Sequence, residues 1–133
     1  IRDVLLEELR YYGRKLHPSS AGADPLLHRL RPVLERVDER LGDASLKVAD
    51  LAEAVHVSEV HLRTLFRRAN LGSPVEFIHR RRIDAACLLL RTTNVPIKVI
   101  AARCGYNDAP FFYRVFRKHT AQTPLSYRQA EEV

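Results

Sequence analysis

Two runs hold most of the chemistry available to this chain of 133 residues. They are Leu62-Arg63-Thr64-Leu65-Phe66-Arg67-Arg68 and Phe112-Tyr113-Arg114-Val115-Phe116-Arg117-Lys118. Wound as helices, each sets an apolar stripe against a polar one. In the first, Leu62, Leu65, Phe66 and Ala69 share one face, and Val60, Arg63, Thr64, Arg67 and Arg68 the other. A guanidinium shown to solvent this way donates in pairs to phosphate oxygens or to N7 and O6 of guanine. That is chemistry for recognising a polyanion, not for making or breaking bonds.

Other chemistries find little support. None of the six histidines is paired with Cys, Asp or Glu at ligand spacing on one helix face. His56 and His61 stand five apart, a poor match to the four-residue step of a helical metal site. No glycine-rich phosphate loop or strained serine turn occurs. Cys87 and Cys104 are too few and too distant for a disulfide framework or a zinc site. They read as small buried hydrophobes in a reducing compartment. No catalytic residue, metal ligand or cofactor is therefore assigned, and the chain is not read as an enzyme.

The net charge of +6 is unevenly placed. Residues 1–45 carry eight Lys/Arg and eight Asp/Glu, whereas 46–133 carry fourteen and eight. Between Val60 and His119 twelve positive residues face three negative ones. This concentration points to a polyanionic partner. A composition of 46% apolar and 29% charged residues is that of a soluble globular protein. No apolar run approaches the roughly 18 residues of a spanning helix, so no membrane association is expected. Without an initiator Met or a signal-peptide pattern, a chain starting at Ile1 reads as a piece of a longer one.

The positioning elements are all helical, and no alternating strand pattern is present. A first amphipathic segment, Arg2 to Lys15, leads into the turn residues 17–23. Asp24-Pro25 starts a helix striped by Leu27, Leu30, Leu34, Val37 and Leu41, which Gly42 can end. Val48 to Val55 is a short helix, and Ser58 caps a longer one. Ser73-Pro74-Val75-Glu76 opens a long helix to about Leu90 or Arg91, with Glu76 placed for a capping box. Ile97 to Arg103 is a second short helix, closed by Gly105. Asn107 or Asp108 caps the second longer one, and Thr123-Pro124 starts the last.

Short helix, turn and basic longer helix is the helix-turn-helix pattern, and it occurs twice. Ala52 to Ala101 is a step of 49, while Phe66 to Phe116 and Pro74 to Pro124 are steps of 50. One extra residue therefore lies between the alanine and the basic run of the second copy. The expected organisation is 1–24 as a helix and linker from a preceding regulatory domain, followed by a reader domain over 25–133. Its units cover about 46–73 and 96–123, joined by a connecting helix over 74–91. Such a connector spans roughly 25 Å at 1.5 Å per residue. That suits two recognition helices about 34 Å apart in adjacent major grooves.

From Leu46 to Arg128 the chain resembles the DNA-binding domain of the AraC/XylS family of bacterial transcription regulators. The matching residues are Leu51-Ala52, Ser58, Leu62, Phe66-Arg67-Arg68, Phe77, Arg82, Ala86, Ile97, Ile100-Ala101, Gly105-Tyr106, Phe112, Arg114 through Lys118, Pro124 and Tyr127-Arg128. The resemblance implies seven helices and a monomer reading two major-groove segments of double-stranded promoter or operator DNA. It further implies RNA polymerase as a partner, activation as the usual outcome, and a cytoplasmic, nucleoid location. A separate effector-binding domain ahead of the reader would permit a homodimer.

Carried over by position, Val60, Arg63 and Thr64 of the first unit face base edges, as do Pro110, Phe111, Tyr113 and Arg114 of the second. Arg63 is the best candidate for a bidentate guanine contact, worth about 1–3 kcal/mol of discrimination. Phe111 and Tyr113 are apolar for a groove-facing surface and suit thymine methyls, or else pack on the domain itself. Arg67, Arg68, Arg80, Arg81, Lys98, Arg117, Lys118 and His119 are expected to bind phosphate, and Arg82 to anchor the connecting helix. The chain departs from the family pattern at Leu71 and Ala121, where glycine is usual after each recognition helix. It departs again at Lys47, where a small capping residue is common and whose helix start is expected to fray. The rival reading is a helical protein-interaction adaptor with a basic surface. It would need matched exposed apolar patches in both copies, and only Phe111 and Tyr113 hint at one.

Overall fold

The computed structural model describes residues 25–131, which form seven helices with no strand among them. In chain order they are α1 (Pro25–Glu39), α2 (Val48–Ala54), α3 (Glu59–Arg68), α4 (Pro74–Thr92), α5 (Ile97–Arg103), α6 (Ala109–Thr120) and α7 (Pro124–Glu131). The expected helix from Arg2 to Lys15 lies outside the described residues. The described residues divide into two compact units, 25–40 with 45–78, and 41–44 with 79–131.

In the first unit, α1 packs on α2, and α2 on α3. Leu30, Val33, Val37, Leu51, Leu62 and Phe66 are fully buried there. Phe77 meets Phe66 edge-on at 5.7 Å, which anchors the first turn of α4. Pro32 sits inside α1 and cannot donate to the His28 carbonyl. Both residues are exposed, so water can satisfy that carbonyl and the helix persists. The Lys47 side chain has no acceptor with which to cap α2. The Asp50 carboxylate closes the helix start instead, accepting the Lys47 N–H at 2.9 Å.

The two short helices end alike, which is why the repeat folds twice. After α2, His56 adopts φ 56°, its N–H donates to Glu53 O at 3.1 Å, and the Val57 N–H donates to Ala52 O at 3.1 Å. After α5, Gly105 adopts φ 92°, its N–H donates to Ala102 O at 3.2 Å, and the Tyr106 N–H donates to Ala101 O at 2.9 Å. Both are Schellman ends built on the repeated alanine. The next helices are capped by Ser58, which accepts the His61 N–H, and Asp108, which accepts the Phe111 N–H. His56 to Gly105 is a step of 49 and Ser58 to Asp108 a step of 50. The extra residue therefore lies in the second turn, between Gly105 and Asp108.

The turns after the longer helices explain the missing glycines. Asn70, not Leu71, takes the left-handed conformation at φ 59°, and Leu71 is buried. Asparagine tolerates this region because its short polar side chain bonds locally. After α6, Ala121 itself is left-handed at φ 61°, its N–H donating to Arg117 O. An alanine there is strained by about 1–2 kcal/mol, part of which glycine would return as unfolded-chain entropy. Ala121→Gly is therefore expected to stabilise the chain by up to about 1 kcal/mol, read as a higher urea midpoint with an unchanged slope.

In the second unit Phe112 and Phe116 are fully buried. Phe112 packs against Tyr106 at 5.3 Å, and Phe116 against the edge of Tyr127 at 5.7 Å. Two arginines satisfy carbonyls of loops and of the last turn of α4. Arg82 donates from Nε to Leu41 O at 3.1 Å and from Nη2 to Asp43 O at 2.8 Å. Arg128 donates from Nε to Leu90 O at 3.3 Å and from Nη2 to Thr93 O and Val95 O at 3.3 and 2.7 Å. Burial pushes the Cys104 thiol up to about 12, so it is an inert core group. Cys87 is half-buried rather than buried, a correction to the sequence reading.

Candidate nucleic-acid interface

The outer face of α3 is set by its cap and its inner stripe. With Leu62, Leu65 and Phe66 turned inward, His61, Arg63, Arg67 and Arg68 are exposed and Val60 is 70% exposed. Thr64 is half-buried, and its hydroxyl donates to Val60 O at 3.3 Å, so its donor is already engaged. Arg63 Nη2 lies 3.9 Å from Glu59 Oε1, one turn earlier on the same helix. Exposed pairs of this kind contribute little to stability, but they bias where the guanidinium points.

On α6, burial of Phe112, Val115 and Phe116 leaves Pro110, Arg114, Arg117 and Lys118 exposed. Phe111 and Tyr113 are 39% and 40% exposed. Phe111 is not free-standing. It meets the His79 ring at 5.8 Å in a T-shaped contact and the Tyr106 ring at 6.0 Å, and Arg114 Cζ lies 5.7 Å above its own ring. It thus packs on its unit with one part and faces solvent with the rest. By the repeat offset Arg63 corresponds to Tyr113, and Arg114 to Thr64. The two arginines therefore sit one position, about 100°, apart on their helices.

Arg67, Arg68, Arg80, Lys98, Arg117 and Lys118 are exposed as expected of phosphate contacts, and His119 is half-buried. Arg81 is not available. It is 6% exposed, like Arg82, and is withdrawn from the phosphate set. Three consecutive helical residues fan over about 200°, and here only Arg80 falls on the wet side of α4. Sequence reasoning missed Arg103, exposed in the last turn of α5, although a basic last-turn residue was the available signal. It also missed His79, whose role depends on a contact 27 residues away.

His79 Nδ1 and the Tyr106 hydroxyl are hydrogen-bonded at 2.7 Å, with the rings stacked at 5.7 Å. Burial above all, then Arg82, His119 and Lys118, holds the His79 imidazole below its ordinary value of 6.5. The unfolded chain therefore takes up this proton at higher pH than the folded one. The contribution is complete above 6.5 and is lost as pH falls from there toward the lower folded value. The urea midpoint should fall more steeply between neutral pH and about pH 5 in the wild-type chain than in His79→Gln, which keeps an acceptor but does not titrate.

Among the described residues no group of three or more His, Cys, Asp or Glu is placed to hold a metal ion, and no helix is long and apolar enough to cross a membrane. Two helix-turn-helix units, each ending in a capped helix with an exposed basic face, define a double helix-turn-helix DNA-binding domain. A helix-turn-helix domain family model matches residues 51–130, and the chain belongs to the AraC/XylS family of transcription regulators. It is 30% identical over 128 residues, 96% of its length, to the arabinose operon regulatory protein of Escherichia coli, and spans 42% of that protein. A crystal structure of a transcriptional regulator with an AraC-type DNA-binding domain from Chromobacterium violaceum matches 84% of the chain and 96% of its own, at 27% identity and TM-score 0.73. The DNA-binding domain of the global transcriptional factor AdpA, solved in complex with a target DNA, matches 80% of the chain and 92% of its own, at 26% identity and TM-score 0.70.

Proposed function

We propose that each unit reads its own major-groove segment of one promoter DNA, with Val60, Arg63 and Thr64 facing bases from α3, and Pro110, Phe111, Tyr113 and Arg114 from α6. The reading is carried by one observation. Each capped helix presents one exposed arginine, Arg63 or Arg114, beside an exposed basic pair, Arg67-Arg68 or Arg117-Lys118. The single arginine suits a base edge, and the pair suits phosphates. Arg80, Lys98 and His119 extend the phosphate-binding surface. The longer protein is an activator in the bacterial cytoplasm that engages RNA polymerase and dimerises through a domain ahead of residue 25. Residues 1–24 are the end of that domain and its linker to the reader. No enzymatic role is proposed.

Selection of bound sites from random DNA tests this. Two preferred blocks about one helical turn apart are expected, with Arg63→Ala erasing preference in one and Arg114→Ala in the other, each by about 1–3 kcal/mol. Neutralising about six phosphates gives a log–log salt slope near −5. A slope near zero, or a single block insensitive to either variant, refutes the proposal.

A further inference from the structure

We infer that Phe111, on the groove-facing side of α6, serves that reading as a positioning residue that holds the Arg114 guanidinium and does not itself contact a base. The inference rests on the proposed reading of DNA by α6. Phe111 is fixed from behind by rings on two other segments, His79 of α4 and Tyr106 of the turn before α6, at 5.8 and 6.0 Å. Those two rings are themselves joined by the 2.7 Å hydrogen bond and lie 5.7 Å apart. Arg82, anchored on Leu41 O and Asp43 O, lies 5.7 Å over the Tyr106 ring and backs the same stack. A surface aromatic without such support would swing between rotamers; this one is a platform.

The Arg114 guanidinium lies over the platform at 5.7 Å, within the roughly 6 Å reach of a cation–π contact. A guanidinium held near a ring this way still has N–H groups to donate to other acceptors, as a guanine edge requires. Phe111 is one helical turn before Arg114, so the contact is local to α6 and does not depend on DNA to form. In the first unit the residue corresponding to Phe111 is His61, and the arginine is paired with Glu59 instead. The two units therefore restrain their reading arginines by different means.

The test uses the whole chain and the double-stranded site obtained by selection, with Phe111→Leu, Phe111→Tyr, Arg114→Ala and the double variant Phe111→Leu/Arg114→Ala. Leucine keeps an apolar side chain and removes the π face; tyrosine keeps both. Phe111→Leu is expected to lose roughly threefold to tenfold of the discrimination at the base pair that Arg114→Ala affects, with the salt slope unchanged. Phe111→Tyr should retain it, and in the Arg114→Ala background Phe111→Leu should cost nothing more. Two results overturn the inference: an evenly weakened affinity for all sequences in Phe111→Leu, or an equal loss with and without Arg114. A thymine-to-uracil replacement that mimics Phe111→Leu shows direct methyl reading, and also overturns it. A wild-type chain with no base preference overturns the parent reading, and this inference with it.

Discussion

Arg82→Met is expected to destabilise the fold by about 2–4 kcal/mol, because it strips donors from two loop carbonyls. Arg82 is 6% exposed. Its contact with Leu41 O is buried and that with Asp43 O partly so. Methionine fills a similar volume, so little of the loss comes from packing; most comes from leaving a carbonyl unpaired away from water. Burial lowers the arginine's pKa, yet a guanidinium starts so high that it stays charged at working pH. Arg82→Lys should fall between wild type and Arg82→Met, since one ammonium cannot reproduce a fork spanning two acceptors. Chemical denaturation followed by circular dichroism reads both, as a lower midpoint at unchanged slope. Arg80→Ala, two residues away but exposed, should leave stability within about 0.5 kcal/mol and reduce the salt slope of DNA binding by about one. If Arg82→Met were as mild as Arg80→Ala, the bonds to Leu41 and Asp43 would carry no net weight.

That contrast shows where the sequence is legible. Helix identity and the doubled scaffold follow from local rules. Apolar spacing marks the buried stripes, Ser58, Ser73, Asp108 and Thr123 mark helix starts, and the 49/50 step announces one extra residue. The same rules could not separate Arg80 from Arg81, because which side of α4 is wet depends on what packs against it. Arg82 is set apart only by the family resemblance, as an anchor of the connecting helix. The arginines alone look like one basic cluster; folding divides them into one solvent-facing residue and two buried ones. The left-handed turns were legible only where glycine occurs. Gly105 announces one, whereas His56, Asn70 and Ala121 also take a positive φ with nothing in their types to demand it. At His56 and Asn70 the paired backbone hydrogen bonds of a Schellman end, and at Ala121 the single bond from its N–H to Arg117 O, outweigh local preference. Phe111 lay on both sides of the question. Its position in α6 suggested the groove, and its packing on His79 and Tyr106 needed the tertiary structure to appear.

Gly105→Ala is expected to be the most damaging single-methyl change in the second unit, at about 2–4 kcal/mol. Two costs combine. At φ 92° the residue lies beyond the left-handed region that alanine reaches at some expense, so strain arises whatever the space. There is also no space. A Cβ built there would lie 2.8 Å from Leu41 O, 2.8 Å from Arg82 Nε and 2.9 Å from Arg82 Cζ. Leu41 O is backbone, and Arg82 is held by its own hydrogen bonds, so neither can retreat without breaking the contact between them. The absence of a side chain at 105 is therefore what lets Arg82 reach the loop. The first unit supplies the control. His56 occupies the corresponding place at φ 56°, inside the left-handed region, so His56→Ala should cost much less. The shared mechanism is tested by a double-mutant cycle. If Gly105→Ala acts largely by expelling Arg82, the pair Arg82→Met/Gly105→Ala will cost less than its two members separately, by about 0.5–3 kcal/mol. Strict additivity would mean that the backbone strain at 105 acts alone, and that the arginine and the glycine are neighbours without a common task.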